Sequence, residues 1–392
     1  MTHFPYLIVG GGMTAAAAAR AIRETDRTAA IGLISAEPHP PYARPPLSKG
    51  LWKGDPEAGI WLSTETAGVE LRLGRRVTAI DVQGKTVTDT GGDTVSYGKL
   101  LLATGGTPRR LPLDAEQIIY FRTYDDYRRL RALAKERLRF AVLGGGFIGS
   151  EIAAALKQAG RDVVMLVPED GIGARLFPAE LSRFLTGYYR EQGMELHTGE
   201  GLAALTPSAG KVIVKTTTGR ELRVDVVVAG LGIRPNVDLA EQAGLRVDNG
   251  IVVDDLLRTS SPDIFAAGDV ANFFNPALGT RLRVEHEDNA NTMGAAAGRA
   301  MAGQGKPYTH LPFFYSDLFA LGYEAVGELD PRLEMVADWK EPFRAGVVYY
   351  LQQGRVRGVL LWNTWGQVDA ARALIAELEP FRKEHLIGRL PA

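Results

Sequence analysis

Tyr6-Leu7-Ile8-Val9-Gly10-Gly11-Gly12-Met13-Thr14-Ala15 and Phe140-Ala141-Val142-Leu143-Gly144-Gly145-Gly146-Phe147-Ile148-Gly149 decide the fold. Each is an apolar run that reads as a buried strand, followed by glycines spaced for a strand-to-helix turn around a pyrophosphate. The first glycine (Gly10, Gly144) lets the chain turn sharply, and the second (Gly12, Gly146) lets backbone approach a phosphate. The third position (Ala15, Gly149) allows tight packing of helix on strand, a role the small Ala15 can also fill. The following helix directs its free N–H groups and positive dipole end at the phosphates. An acid after the next strand suits a ribose hydroxyl: Glu37 beyond Ile31-Gly32-Leu33-Ile34, and Glu169 beyond Val163-Val164-Met165-Leu166-Val167. Both lie somewhat past the usual spacing of roughly 20 residues, which predicts slightly long intervening helices. One such fingerprint is weak evidence. Two, each with strand, helix and acid, imply two dinucleotides held close enough to exchange electrons.

Composition narrows the class. At 392 residues the chain predicts two or three domains, and its 45% apolar and 23% charged residues are those of a globular protein. The net charge of −1 offers no bulk field for nucleic acid or an acidic membrane. There is no cysteine, which excludes disulfides, thiolate metal sites, iron–sulfur clusters ligated by this chain and dithiol redox centres. The six histidines show no metal-ligand spacing, so no metal is expected. The first strand is reached by Tyr6 and no apolar run approaches the ~20 residues that span a bilayer, so a cytoplasmic protein without targeting segment is expected.

The pattern then repeats along the chain. Lys99 to Leu102 reads as a buried strand ending in the turn Ala103-Thr104-Gly105-Gly106, and Val224 to Gly232 echoes it after the second fingerprint. Thr123 to Arg139, with Leu130, Leu133 and Leu138 at roughly helical spacing, predicts a surface helix leading into the second unit. A helix over Glu151–Gly160 follows the second fingerprint. Ile264-Phe265-Ala266-Ala267-Gly268-Asp269-Val270 is a short strand ending in Gly-Asp, placed to offer a carboxylate to a ligand hydroxyl, and a helix over Glu287–Ala302 comes later. That return implies completion of the first nucleotide domain. The remainder alternates strands (Gly346–Gln352, Arg357–Trp362) with a helix near Val368–Leu378, an α+β module. The expected class is α/β: two Rossmann-like dinucleotide-binding domains of glutathione-reductase type, 1–112 with 237–304 and 113–236, plus a C-terminal α+β domain, 305–392.

Pro41-Tyr42-Ala43-Arg44-Pro45-Pro46-Leu47-Ser48-Lys49 resembles the Y-x-R-P-P-L-S-K element of flavin-dependent ferredoxin and rubredoxin reductases and of apoptosis-inducing factor. Ala103-Thr104-Gly105, Gly144 to Glu151, and Ala266-Ala267-Gly268-Asp269 belong to the same signature set. Likeness to apoptosis-inducing factor and its bacterial relatives is carried by Phe314 to Leu318, Gly322 to Gly327, Val284 to Glu287 and Gly346 to Leu351. Together these stretches run nearly the whole chain. The resemblance implies FAD at the first fingerprint, held by Gly10, Gly12, Ala15, Glu37, Arg44, Lys49, Thr104, Gly105 and Asp269. It implies a nicotinamide nucleotide at the second, held by Gly144, Gly146, Phe147, Ile148, Gly149, Glu151, Glu169 and Gly232. It also implies that Lys49 and Glu151 pair near the flavin N5, where lysine stabilises negative charge on the reduced ring. Read alone, Lys49 is an exposed loop lysine behind a rigid Pro-Pro segment.

Other residues stay open between two readings. Tyr315 stands where the family usually has a tryptophan, and either stacks on the nicotinamide side or packs in the core. Glu285 and His286 resemble the stretch facing flavin and nicotinamide, although a lone histidine is equally a structural residue. Arg122, Arg128, Arg129 and Arg131 form either a solvated face or a docking patch for an acidic ferredoxin. Glu169 favours NADH over NADPH, while Arg175 could accommodate a 2′-phosphate. The expected activity is electron transfer from NADH through FAD to a ferredoxin or rubredoxin-type protein, by a monomer or homodimer. Quinones or other small acceptors, or an NADH-binding redox sensor like apoptosis-inducing factor, are the alternatives. With no cysteine, electrons must leave directly from the flavin.

Overall fold

Tyr6–Val9 ends a strand, Thr2–Val9, that runs parallel to Ile31–Ile34 on one side and to Thr94–Leu102 on the other, with Leu7 beside Gly32 and Leu100. These central strands are near-continuous apolar runs because both faces of a parallel sheet are covered. Leu7, Ile8, Leu33, Leu100 and Leu101 are completely buried. The computed structural model describes residues 1–111, 113, 115–136 and 138–391, and it divides into two compact units. The domain boundary expected at Pro112 and the chain end at Ala392 lie outside the described residues.

The first unit comprises Met1–Arg44, Pro56–Thr107 and Arg234–Pro312. Its main sheet runs in the order Val69–Arg72, Ile31–Ile34, Thr2–Val9, Thr94–Leu102, Thr86–Asp89, Val77–Asp81. Ile264–Ala266 returns from late in the chain and pairs parallel with Thr94–Leu102, Phe265 beside Leu101. The crossover helix Met13–Thr25 carries five consecutive alanines, Ala15 to Ala19, all buried. Such small side chains let another helix come close. Helix Glu287–Met301 does so with Gly294 and Gly298, where an added Cβ would lie 2.4 Å from the carbonyl oxygens of Thr14 and Ala18 respectively.

The second unit comprises Pro45–Asp55, Pro108–Ile233 and Phe313–Ala392. Its parallel sheet runs Glu195–Thr198, Asp162–Val167, Arg139–Leu143, Val226–Ala229, Ile118–Ile119, and a three-stranded antiparallel sheet, Leu202–Ser208, Lys211–Thr216 and Glu221–Val224, accompanies it. The C-terminal stretch forms a five-stranded antiparallel sheet in the order Phe313–Leu318, Leu321–Gly327, Arg355–Trp362, Ala345–Gln352, Glu334–Glu341. Helix Val368–Ala376 packs on its Leu321–Gly327 and Arg355–Trp362 strands. Among the described residues, no helix is long and apolar enough to cross a membrane.

Three helices differ from the sequence expectation. The helix expected over Glu151–Gly160 spans Phe147–Gln158, so Glu151 lies inside it and not at its start. The helix expected over Thr123–Arg139 spans Tyr124–Leu133, because a capping box between Thr123 and Asp126 fixes its start and Arg139 already belongs to the next strand. The helix near Val368–Leu378 ends at Ala376.

Gly298 tests which of two opposed effects governs the interhelical contact in the first unit. An alanine in a helix interior gains about 1 kcal/mol over glycine by propensity, whereas overpacking against a backbone carbonyl costs about 1–3 kcal/mol. Gly298→Ala is therefore expected to lower the urea midpoint of unfolding. A midpoint equal to or above that of the parent chain would contradict the close packing.

Candidate functional site

The two fingerprints build equivalent seats, one in each unit. Gly10 has φ +125° and Gly144 φ +102°. A Cβ on Gly10 would meet the Ala103 carbonyl oxygen at 2.1 Å, and one on Gly144 the Gly230 oxygen at 2.5 Å. Each turn is thus pressed against the end of the neighbouring strand. Gly12 and Gly146 cap the helices that follow, in extended conformation, with no side chain capping the helical N–H groups and no acid in the first turn. Nothing lies within 4 Å of where their Cβ atoms would be. Two long helices with open, uncapped N-termini behind glycine turns fit two pyrophosphates. Ala15 and Gly149 pack inward: Ala15 is fully buried, and a Cβ on Gly149 would meet the Gly144 oxygen at 2.1 Å.

In the first unit, Glu37, Arg44, Asp269 and His286 form one electrostatic group. Arg44 Nη2 donates to Glu37 Oε1 at 2.6 Å, the Tyr42 hydroxyl donates to Glu37 Oε2 at 2.6 Å, and Arg44 Nη1 donates to the Tyr42 oxygen at 3.2 Å. Burial works against the Arg44 charge, but Tyr42, Glu37 and Asp269 outweigh it and raise its pKa. Arg283 Nη1 donates to the Asp269 backbone oxygen at 3.1 Å and to Glu285 Oε1 at 2.8 Å. His286 stands at the position before helix Glu287–Met301, and burial pushes its pKa down to about 4 against the opposing pull of Asp269 and Asp288. Thr104 and Gly105 lie in the turn after strand Thr94–Leu102. The Thr104 hydroxyl donates to the Asn236 carbonyl at 2.8 Å, Asn236 Nδ2 donates back to the Thr104 carbonyl at 2.8 Å, and the Asn236 N–H reaches the Gly105 oxygen at 2.9 Å.

In the second unit, three distant stretches of sequence meet at Glu151. Its Oε1 accepts Lys49 Nζ at 2.6 Å and Ser316 Oγ at 2.7 Å, and its Oε2 accepts Ser48 Oγ at 2.6 Å. The Glu151 and Lys49 side chains are 2% and 13% exposed. Lys49 Nζ lies 5.1 Å from the centre of the half-buried Tyr315 ring, so Tyr315 belongs to the ion-pair cluster. Phe147 and Ile148, on the first turn of the helix, are exposed apolar side chains, and Phe147 meets Phe314 edge-on at 5.2 Å. They give the phosphate seat an apolar lip. Glu169, just past its strand, pairs with Arg175 at 2.5 Å, with Arg175 81% exposed. Gly232 has φ +78° and its carbonyl accepts the Arg109 N–H at 2.9 Å.

The geometry joins Lys49 to Glu151, the pair the resemblance implied, and adds residues the sequence reading passed over. Lys49, grouped with the first site by motif, is part of the second unit. Ser48 was signalled only by its place beside Lys49, and Ser316, inside an aromatic strand, carries no sequence signal. The arginines near helix Tyr124–Leu133 are partly folded onto their own surface: Arg128 lies over the Tyr124 ring at 5.8 Å, Arg131 over the Trp52 ring at 5.0 Å, and Arg129 donates to the Glu116 carbonyl.

The family described as pyridine nucleotide-disulphide oxidoreductase matches residues 4–294, and the C-terminal family of mitochondrion-associated apoptosis-inducing factor matches 297–342 and 337–377. The ferredoxin–NAD(+) reductase component of the anthranilate 1,2-dioxygenase system from Burkholderia cepacia is 37% identical, over 96% of this chain and 95% of its own. Mitochondrial apoptosis-inducing factor 1 of Dictyostelium discoideum is 34% identical, over 95% of this chain and 78% of its own. The crystal structure of the covalent putidaredoxin reductase–putidaredoxin complex is similar with a TM-score of 0.90 and 30% identity, covering 97% of this chain and 94% of that one.

The His286 ring gives a pH test of the first unit. In the unfolded chain an imidazole titrates near 6.5, and in the folded chain at about 4. As pH falls through that window the unfolded chain takes up the proton first, so stability is lost between pH 6.5 and 4. The residue as a whole is partly accessible, so the loss is at most about 3 kcal/mol. His286→Asn should show a flatter denaturant-derived stability profile across that window than the parent chain. Parallel profiles would rule the assignment out.

Proposed function

This chain belongs to the pyridine nucleotide-disulphide oxidoreductase family, and from that premise we propose that it takes a hydride from NADH and passes the electrons to an iron–sulfur ferredoxin. Its cofactors are FAD and NAD(H). The observation that carries the reading is the likeness to a ferredoxin–NAD(+) reductase component over 96% of the chain. The absence of cysteine agrees with it, because no dithiol is present to take the electrons as the family name would suggest. A cytoplasmic location, as monomer or homodimer, completes the reading.

Bound here, FAD would supply the hydride chemistry with a nicotinamide and the electron-transfer chemistry with a separate acceptor. The chain supplies binding, orientation and charge. The helix N-terminus behind Gly10, Gly12 and Ala15 seats the FAD pyrophosphate, Glu37 takes a ribose hydroxyl, and Arg44, Thr104, Gly105, Asp269, Glu285 and His286 complete that site. Gly144, Gly146 and Gly149 seat the nicotinamide nucleotide, with Phe147, Ile148 and Tyr315 as its apolar and aromatic walls and Gly232 at its edge. Lys49, held by Glu151, contributes a fixed positive charge that favours reduction.

Glu169 underlies the preference for NADH: its carboxylate hydrogen-bonds a ribose 2′-hydroxyl and repels a 2′-phosphate. Arg175, tied to that carboxylate, is a nearby group that would favour NADPH. A second reading, a redox sensor, is favoured by the match of residues 297–377 to the C-terminal family of apoptosis-inducing factor.

Two measurements test these assignments. With NADH, cytochrome reduction should depend on added ferredoxin and weaken as salt rises. Full turnover on a quinone without a protein partner, or slow reduction with a change of oligomeric state, would favour the alternatives. The kcat/KM for NADH should exceed that for NADPH, and Glu169→Gln should narrow the ratio about 10-fold by freeing Arg175. An NADPH advantage in the parent chain would overturn the preference.

A further inference from the structure

The surroundings of the Lys49–Glu151 pair are built to hold a carboxylate in one plane. A glutamate terminal torsion is broad and roughly two-fold, so a carboxylate held by a single lysine on one oxygen is free to swing. Here both oxygens are pinned: Ser316 joins Lys49 on Oε1, and Ser48 takes Oε2. Ser48 and Ser316 are buried, 5% and 1% exposed, so water does not substitute for either hydroxyl.

Ser316 is itself held from behind. It pairs in register with Tyr323 on the adjacent strand, and the Tyr323 phenol interacts with its side chain. The Tyr323 ring is stacked on Trp362 at 5.9 Å and meets Phe177 edge-on at 5.2 Å. Burial, and then the Glu151 charge, push the phenol well above its usual range, so it stays protonated. A carboxylate only accepts, so the single Ser316 hydroxyl proton is committed to Glu151.

We propose that Ser316, backed by Tyr323, and Ser48 are positioning residues that aim the Lys49 ammonium through Glu151, so that the C-terminal sheet sets the rate of hydride uptake from NADH. The inference rests on the reading that gives Lys49 a role in reduction. Loss of one hydroxyl lets the carboxylate rotate and draw on the lysine from a new angle, which alters the charge presented for reduction without removing any nucleotide-binding group.

The test uses the flavin-loaded chain in stopped-flow reduction by NADH, with the flavin midpoint potential as a second readout. Ser316→Ala should lower the limiting reduction rate about 10-fold, leave the NADH dissociation constant within about two-fold, and lower the midpoint potential. Ser316→Thr should restore both readouts, and Tyr323→Phe should have a smaller effect in the same direction. Parent-like rate and potential in Ser316→Ala would overturn the proposal. Should Ser316→Ala fail to fold, parent-like values in both Ser48→Ala and Tyr323→Phe would overturn it. Lys49→Ala separates the two levels. If it reduces at the parent rate, the underlying role of Lys49 fails. If it is slow while Ser316→Ala is not, only the positioning role fails.

Discussion

A lysine ammonium and a glutamate carboxylate buried against each other set the terms for the second unit. Neither charge could be left there alone, since breaking a buried pair by deleting one partner costs about 3–5 kcal/mol. The pair therefore obliges three segments to meet. Pro45–Asp55 brings Lys49 and Ser48, helix Phe147–Gln158 brings Glu151, and strand Phe313–Leu318 brings Ser316. A buried ion pair is a poor way to gain stability, because an apolar replacement of like volume often does as well. Its retention at 2.6 Å with two further donors points to chemistry, and the same arrangement explains why a short loop segment groups with the second unit.

Much of the parallel-sheet architecture was legible, and the reason is periodicity. Strands buried on both faces write themselves as apolar runs, so Tyr6–Val9, Ile31–Ile34, Phe140–Leu143 and Val163–Val167 stand out. The return of Ile264–Ala266 to the first sheet was legible too, from an apolar run closed by Gly-Asp. The start of helix Phe147–Gln158 was not. Helix starts are recognised by Ser, Thr, Asp or Asn caps, and here the cap is Gly146. A helix that must leave its first N–H groups open for a phosphate cannot spend them on a capping side chain. The feature that makes the terminus useful also hides it, which is why the residue pattern places the start at Glu151.

The candidate site shows a similar division. Lys49 and Glu151 lie 102 positions apart in sequence, and only the motif resemblance joined them. Ser316 could not be found that way: a serine between Tyr315 and Asp317 in an aromatic strand looks like any solvent-facing position, yet it is 1% exposed. What the sequence lacks is the register that sets Ser316 opposite Tyr323. By sequence, Tyr315 stands between stacking and core packing. It is half-buried, with Lys49 over its ring, which is neither a core residue nor a free surface aromatic. The arginines of helix Tyr124–Leu133 read as a charged face, but Arg128 and Arg131 lie on aromatic rings, so their planar groups are already engaged.

The absence of cysteine gives the Lys49 cluster its wider meaning. In a dithiol enzyme the protein itself stores the electrons, and nearby charges tune a thiolate. This chain has no such store, so its own groups act on electron transfer only by shaping the field around a bound cofactor. Field shaping depends on direction and distance, and one mobile ammonium on a four-carbon stem is poorly suited to it. Anchoring the ammonium to a carboxylate removes most of that freedom. Anchoring the carboxylate in turn, through Ser48 and Ser316, removes the rest. Under the role proposed for Lys49, the scaffold behind that charge must be rigid, and in this molecule it includes an aromatic-backed strand of the C-terminal sheet.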